Sequence, residues 1–164
     1  MPPYTKAKRI PFQQPSYRRI SHALTTTPPP PYSATMTNIE TIQSLYRSYR
    51  SQDYDTFRAL CTPDIAWIQS EGFPGGRTWI GADAIIKGVF EGNASRWEGF
   101  GFDIEQYLDA GTSVIVVGTY RGAHRVSGKS FRAATVHIFD LQDGKAARFR
   151  QFTDTKVICD ALPA

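Results

Sequence analysis

From position 36 onward the apolar residues follow two successive rhythms. The first steps by three and four. Ile39, Ile42, Tyr46 and Tyr49 form the stripe of an amphipathic helix, and the "TNIE" before them is a capping box, with Thr37 as cap and Glu40 reaching back. A second helix is predicted from Asp53, with Tyr54, Phe57, Leu60 and Cys61 on its apolar face, ending at Pro63. A third covers "ADAIIKGVFEG" and buries Ile85, Ile86, Val89 and Phe90. Between them lie a strand, "DIAWIQS", and a Gly/Pro loop, "EGFPGGRTWIG". From about Gly99 the period drops to two. Four strands follow, joined as antiparallel hairpins by turns at Ala110-Gly111, Ser127-Gly128 and Asp143-Gly144, and "TKVICDALPA" closes with a helical turn. Helices first and a strand meander after them predict an α+β fold: three N-terminal helices packed on one face of a curved, mostly antiparallel sheet.

Residues 1–35 obey neither rhythm. "TTTPPPPYSAT" is rich in Pro, Ser and Thr and cannot bury enough surface to offset its ordering entropy, so a disordered tail is expected ahead of a domain at 36–164. Three origins stay open: a mis-assigned start with translation beginning at Met36, a plain tail, or a transit peptide. The tail shares the Arg-bearing, acid-free composition of transit peptides, but its prolines oppose their amphipathic helix. The expected location is the cytoplasm, or an organelle if the tail directs import.

Charge sharpens this division. The tail holds Lys6, Lys8, Arg9, Arg18 and Arg19 and no acid, which leaves 14 basic and 15 acidic residues for positions 36–164. The net charge of +4 over 164 residues is therefore no argument for a nucleic-acid partner. No apolar run approaches the roughly 18–20 residues that span a bilayer, so no membrane partner is expected. Cys61 and Cys159 show no CxxC spacing, and the three histidines lie far apart with no HxxE or HxH, so neither a disulfide framework nor a metal site is indicated. No GxGxxG or P-loop occurs, and no cofactor is indicated.

The stretches "YRSYRSQDYDTFRALCTPDIAWI", "RTWIGADAI" and "HIFDLQDGKAARFRQFTDT" stand in an order that resembles the SnoaL-like, ketosteroid-isomerase-related branch of the nuclear transport factor two-like superfamily, over residues 37 to about 158. The resemblance implies a cone-shaped domain with a mostly apolar pocket between helices and sheet. It also implies a homodimer through the open sheet face, toward which Val114, Val116 and Ile138 are expected to point. The superfamily includes isomerases, polyketide cyclases, epoxide hydrolases and scaffolds, so fold does not name the reaction.

Three catalytic sets of the superfamily, those of the steroid isomerases, epoxide hydrolases and cyclases, are each incomplete here. The steroid isomerases' tyrosine donor, aspartate base and protonated aspartate fall at Leu45, Gln69 and His137. Leucine cannot donate to an oxyanion, and glutamine is no base near neutral pH. The epoxide-hydrolase triad falls at Gly118, Tyr120 and Gln151. The cyclases' histidine is matched by His137, but their aspartate again falls at Gln151.

His137 is the residue on which a functional reading turns. A two-residue turn at Asp143-Gly144 sets it opposite Arg150. A three-residue loop with a glycine bulge sets it opposite Phe149, with Thr135 opposite Gln151. The resemblance implies the second register, with Thr135, His137, Phe139, Phe149 and Gln151 on the concave face. His137, Tyr120 and Glu71 are then the catalytic candidates: the first two polarise an oxygen, and Glu71, the carboxylate nearest the first strand, serves as substitute base or pairs with Arg77. Trp67, Gln69, Trp79, Gln151, Phe149 and Phe139 are candidate ligand contacts, the tryptophans lining or closing the cavity. His124, near a hairpin end, is expected to be exposed. The function expected is binding of a small apolar carbonyl compound, with isomerase-, cyclase- or hydratase-type turnover. The alternative is a non-enzymatic binding, dimerisation or interaction module. An open pocket on which His137, Tyr120 and Gln151 converge favours the first; a cavity plugged by Trp67, Trp79 and Phe139 favours the second.

Overall fold

The computed structural model describes residues 36–164; the expectation of a disordered tail at 1–35 lies outside them. Helix α1 (Asn38–Ser51) starts on the expected capping box. The Thr37 hydroxyl accepts from the Glu40 N–H, and the Glu40 carboxylate accepts from the Thr37 N–H at 2.8 Å. It stops at Gln52, which takes a left-handed conformation at φ 59°. Helix α2 (Tyr54–Ala59) is capped by Asp53, whose carboxylate accepts from the Thr56 N–H at 3.1 Å. It ends sooner than expected, because Cys61 already begins β1 (Cys61–Ile68).

The loop after β1 contains a strand that the Gly/Pro pattern concealed, β2 (Thr78–Ile80), with Trp79 opposite Trp67. The third predicted helix becomes a run of short segments: α3 (Ala82–Ile85), a π-helical turn (Ile86–Phe90) and α4 (Glu91–Arg96). The π turn has a packing reason. A Cβ on Gly88 would lie 2.2 Å from the Trp79 ring, so the bare backbone of the widened turn is what lets the indole approach. Instead of three comparable N-terminal helices, the chain forms one long helix and short helical pieces.

Strands β3 (Trp97–Ala110), β4 (Ser113–His124), β5 (Ser130–Gln142) and β6 (Lys145–Thr153) form the meander, and α5 (Thr155–Cys159) follows, capped by Asp154. The sheet has six strands in the order β2-β1-β6-β5-β4-β3 and is not closed. All pairs are antiparallel except β1 with β6, so the sheet is mixed.

The β5–β6 register differs from both expected ones. Asp143 and Gly144 make a two-residue turn with both φ positive, at 50° and 75°, and Gln142 pairs with Lys145. One residue is then inserted on β6, between Ala146 and Arg148, and His137 comes to lie opposite Gln151. The difference from the expected partner, Phe149, is two residues. An even shift preserves the face, so His137, Phe139, Phe149 and Gln151 still point the same way.

Val114 and Val116 correct the expected outer face. Val116 pairs with His137 and shares its side, and both valines are fully buried in the core under the helices. The outer face instead carries Ile115, Val117, Val136, Ile138 and the exposed Phe152. The arginines of the sheet are paired: Arg148 and Arg150 both donate to Asp140, and Arg121 and Arg132 to Asp103. Between α1 and the sheet, Ile42, Phe57, Ile65, Phe139 and Phe149 build a core that also carries the floor of a cavity. Among the described residues, no helix is long and apolar enough to cross a membrane.

Candidate functional site

A cavity of about 530 Å³ opens between α1, the α3–α4 segments and the inner face of β3–β6. Tyr49, Trp67, Phe90, Phe100 and Phe102 line it together with polar residues such as Gln52, Gln69 and Asn93. At its base lies His137, on β5 between Val136 and Ile138, with its ring 4.3 Å from that of Phe102 and 4.8 Å from that of Phe149. Burial among these rings disfavours the imidazolium and lowers the His137 pKa to about 3. The imidazole is therefore neutral at physiological pH, with one nitrogen a donor and the other an acceptor.

Both nitrogens are engaged. Nδ1 lies 2.6 Å from the Tyr46 hydroxyl and Nε2 lies 2.6 Å from the Tyr120 hydroxyl. The direction of the chain follows from a group that can only donate. The Ser70 backbone N–H donates to Gln151 Oε1 at 3.2 Å, so the Gln151 amide must turn its Nε2 toward Tyr120, to whose oxygen it donates at 2.9 Å. Of the two neutral tautomers, the one protonated on Nδ1 gives the buried Tyr120 O–H an acceptor in His137 Nε2; the other would leave that proton without one among the described residues. The neutral ring then carries its proton on Nδ1 and donates to the Tyr46 oxygen. The Tyr46 O–H has no acceptor among the described residues, and Tyr46 lines the cavity. A relay of four side chains thus ends at Tyr46, a residue of the cavity wall. Burial raises the Tyr46 and Tyr120 pKa values well above that of an ordinary phenol, so both keep their protons.

Gln69 adds a second donor. Trp79 Nε1 donates to Gln69 Oε1 at 3.0 Å, which leaves the Gln69 Nε2 hydrogens without an acceptor among the described residues, and Gln69 also lines the cavity. This is the position at which the steroid isomerases of the resemblance place a base. Here the same place holds a donor.

Of the residues expected from sequence, His137, Tyr120, Gln151, Trp67 and Gln69 line one cavity. Phe139 and Phe149 lie beneath it as buried packing, with Phe149 stacked on Trp67 at a centroid distance of 3.6 Å. Trp79 stands outside, holding Gln69 from behind with Arg77 4.9 Å over its ring. Glu71 sits exposed in the loop after β1 and is not among the lining residues, because the chain turns away from the cavity there. His124 is buried rather than exposed: its Nδ1 accepts from the N–H groups of Val126 and Ser127 and caps the β4–β5 connection. At Gly118 a Cβ would lie 2.3 Å from the Asp103 carbonyl oxygen and 2.9 Å from the Phe102 ring, so no arginine fits there.

Sequence reasoning missed Tyr46 as a functional residue. It assigned the first-helix position to Leu45, which also lines the cavity but bears no donor. The signal was present in the Tyr46–Tyr49–Arg50 spacing, which puts a phenol and a guanidinium on one helix face, four residues apart.

Residues 42–149 match the model of a family described as a SnoaL-like domain. No curated protein matches the chain. Among solved structures, an NTF2-like protein from Burkholderia thailandensis E264 is 33% identical, with a TM-score of 0.75 over 79% of this chain and 99% of that one. TerC, co-crystallised with polyporic acid, is 26% identical, with a TM-score of 0.66 over 76% and 96%. IdmH from Streptomyces antibioticus, proposed to be a polyketide cyclase, is 18% identical with a TM-score of 0.63 over 77% and 98%, a likeness of fold alone.

Proposed function

The chain belongs to the SnoaL-like domain family, and from that premise we propose that it is a cofactor-independent enzyme of isomerase or cyclase type acting on a small apolar carbonyl compound. The observation that carries this reading is the hydrogen-bond relay ending in the unspent Tyr46 proton. A carbonyl oxygen seated against the Tyr46 O–H and the Gln69 N–H meets two donors held in place before the substrate arrives. As the oxygen gains negative charge toward an enolate, both bonds strengthen in a cavity walled by aromatic rings, where water screens little.

His137 acts through Tyr46 rather than on the ligand, since both of its nitrogens are already taken. With a pKa of about 3 it is also too weak a base to remove a proton near neutral pH. The one carboxylate lining the cavity, Asp103, is held below its ordinary range, chiefly by its hydrogen bond from Arg121. The chemistry served best is therefore electrophilic. The protein stabilises the enolate of a substrate acidic enough to yield its proton to water, and the aromatic walls hold the carbon chain in the geometry for migration or ring closure. The co-crystallisation of TerC, a protein of the same fold, with polyporic acid supports a small-molecule role. The chain is further proposed to self-associate through the outer sheet face around Val117, Val136 and Phe152.

The test is deuterium exchange α to the carbonyl in a panel of cyclic and aryl 1,3-diketones, followed by NMR in D2O. At least one compound should exchange faster with the protein than in buffer, and Tyr46→Phe should slow that exchange by about 10²–10³, the usual cost of one oxyanion donor. Exchange unaffected by Tyr46→Phe, or no acceleration across the panel, would contradict the proposal.

A further inference from the structure

The charged residues that line the cavity are Arg50, Asp103 and Arg121, all at the solvent side. Two of them cancel. Arg121 donates to one oxygen of Asp103 at 3.0 Å, and Arg132 reaches the other at 3.4 Å. Arg50 is different. Its guanidinium donates to the Phe102 carbonyl oxygen at 3.2 Å, and no carboxylate lies within ion-pair distance among the described residues. Residues 1–35 contain no acidic side chain that could neutralise it.

A bland role for Arg50 is to complement the negative end of α1, in whose last turn it lies. The direction of its side chain argues otherwise, since it leaves α1 to donate to Phe102 on β3, and both residues line the cavity. Arg50 follows Tyr46 by four residues, so the two project from the same side of α1, about 6 Å apart along its axis. Tyr46 and the cation at the mouth therefore lie within the span of one small molecule, and Gln69 lines the same cavity. The lining offers donors and positive charge, and its one carboxylate is already spent on two arginines.

From this arrangement we infer that the cavity takes a ligand with an acidic group, a carboxylate, sulfonate or ionised hydroxyl on an aromatic or alicyclic body, and that Arg50 at the mouth binds this group while an acceptor oxygen of the same molecule reaches Tyr46. The inference rests on the pocket reading above and narrows its substrate class. An anionic ligand also accounts for a site without a strong base, because a 1,3-dicarbonyl that enters as its enolate has already lost the proton that a base would remove. The aromatic rings in the wall lower the local dielectric, which makes a single cation at the rim more effective than on an open surface.

The test uses two probes that share one body, 8-anilinonaphthalene-1-sulfonate and the neutral N-phenyl-1-naphthylamine. Each is titrated by fluorescence into the full chain at low ionic strength. The sulfonate should bind about tenfold more tightly than the neutral amine, and added salt should erode the difference. Arg50→Gln should remove the preference and leave affinity for the neutral amine unchanged, and Arg50→Lys should restore most of it. A wild-type protein without preference, or a preference that survives Arg50→Gln, overturns the anion-reading role while leaving the pocket standing. Binding of neither probe overturns the pocket reading and this inference together.

Discussion

Replacing His137 by phenylalanine should change the pH dependence of stability more than stability itself. Burial lowers the His137 pKa to about 3, against an ordinary value of 6.5. Between these values the unfolded chain binds a proton that the folded chain excludes, so stability falls as pH drops below 6.5. Each pH unit within that window costs about 1.4 kcal/mol, and acidification from pH 7.5 to 4.5 spans about two units of it, a loss of about 2–3 kcal/mol from this group. Carboxylates held low by hydrogen bonds, such as Asp103 and Glu40, contribute stability that is lost only at more acid pH. Phenylalanine fills a similar volume but leaves the Tyr46 and Tyr120 hydroxyls without their partner, at a cost of roughly 1–3 kcal/mol at pH 7.5. The variant does not pay the acid penalty, so the two proteins should converge near pH 4.5. Urea unfolding of both at pH 7.5, 6.0 and 4.5 measures this directly. The same difference at all three pH values would refute a buried, neutral His137.

Three other substitutions probe separate parts of the account. Gly88→Ala places a Cβ in contact with the Trp79 ring and should destabilise by about 1–3 kcal/mol in thermal unfolding, with Gln69-dependent binding weakened as Trp79 shifts; a neutral effect would show that the close approach is unnecessary. Gln151→Glu, once ionised, can only accept, so the Tyr120 proton should turn to it and the relay should reverse, withdrawing the Tyr46 donor; at pH 8 ligand binding should fall as far as in Tyr46→Phe. Phe152→Arg puts a charge on the apolar outer face, where Phe152 is 53% exposed, and light scattering should report a smaller assembly than for the wild type at equal concentration.

Patterning located the face of the site but not its contacts. A period of two assigns alternate residues to one side, and any even register error preserves that assignment. His137, Phe149 and Gln151 were therefore legible as neighbours, although the bulge after Ala146 moved every partner by two positions. "VIVV" at 114–117 carried no such information, because both alternating sets are apolar, and Val114 and Val116 were assigned to the wrong side. On α1 a single step turns the side chain by about 100°, and both Leu45 and Tyr46 belong to the broad buried stripe. Only tertiary packing shows which of the two reaches the histidine. The packing of Trp79 against Gly88 escaped notice for a related reason: the strand that carries the tryptophan has three residues, and its partner lies in a π turn that no periodicity announces.

The protonation of His137 tests the relay most directly. In protein labelled with 15N at histidine, the imidazole nitrogens report by chemical shift and by one-bond coupling which of them bears hydrogen. The account predicts a proton on Nδ1 and none on Nε2, unchanged from pH 8 down to pH 5. A proton on Nε2 at neutral pH would reverse the relay and leave Tyr46 donating to the ring instead of to the cavity. An imidazolium forming near pH 6.5 would contradict both the burial of His137 and the site built on it.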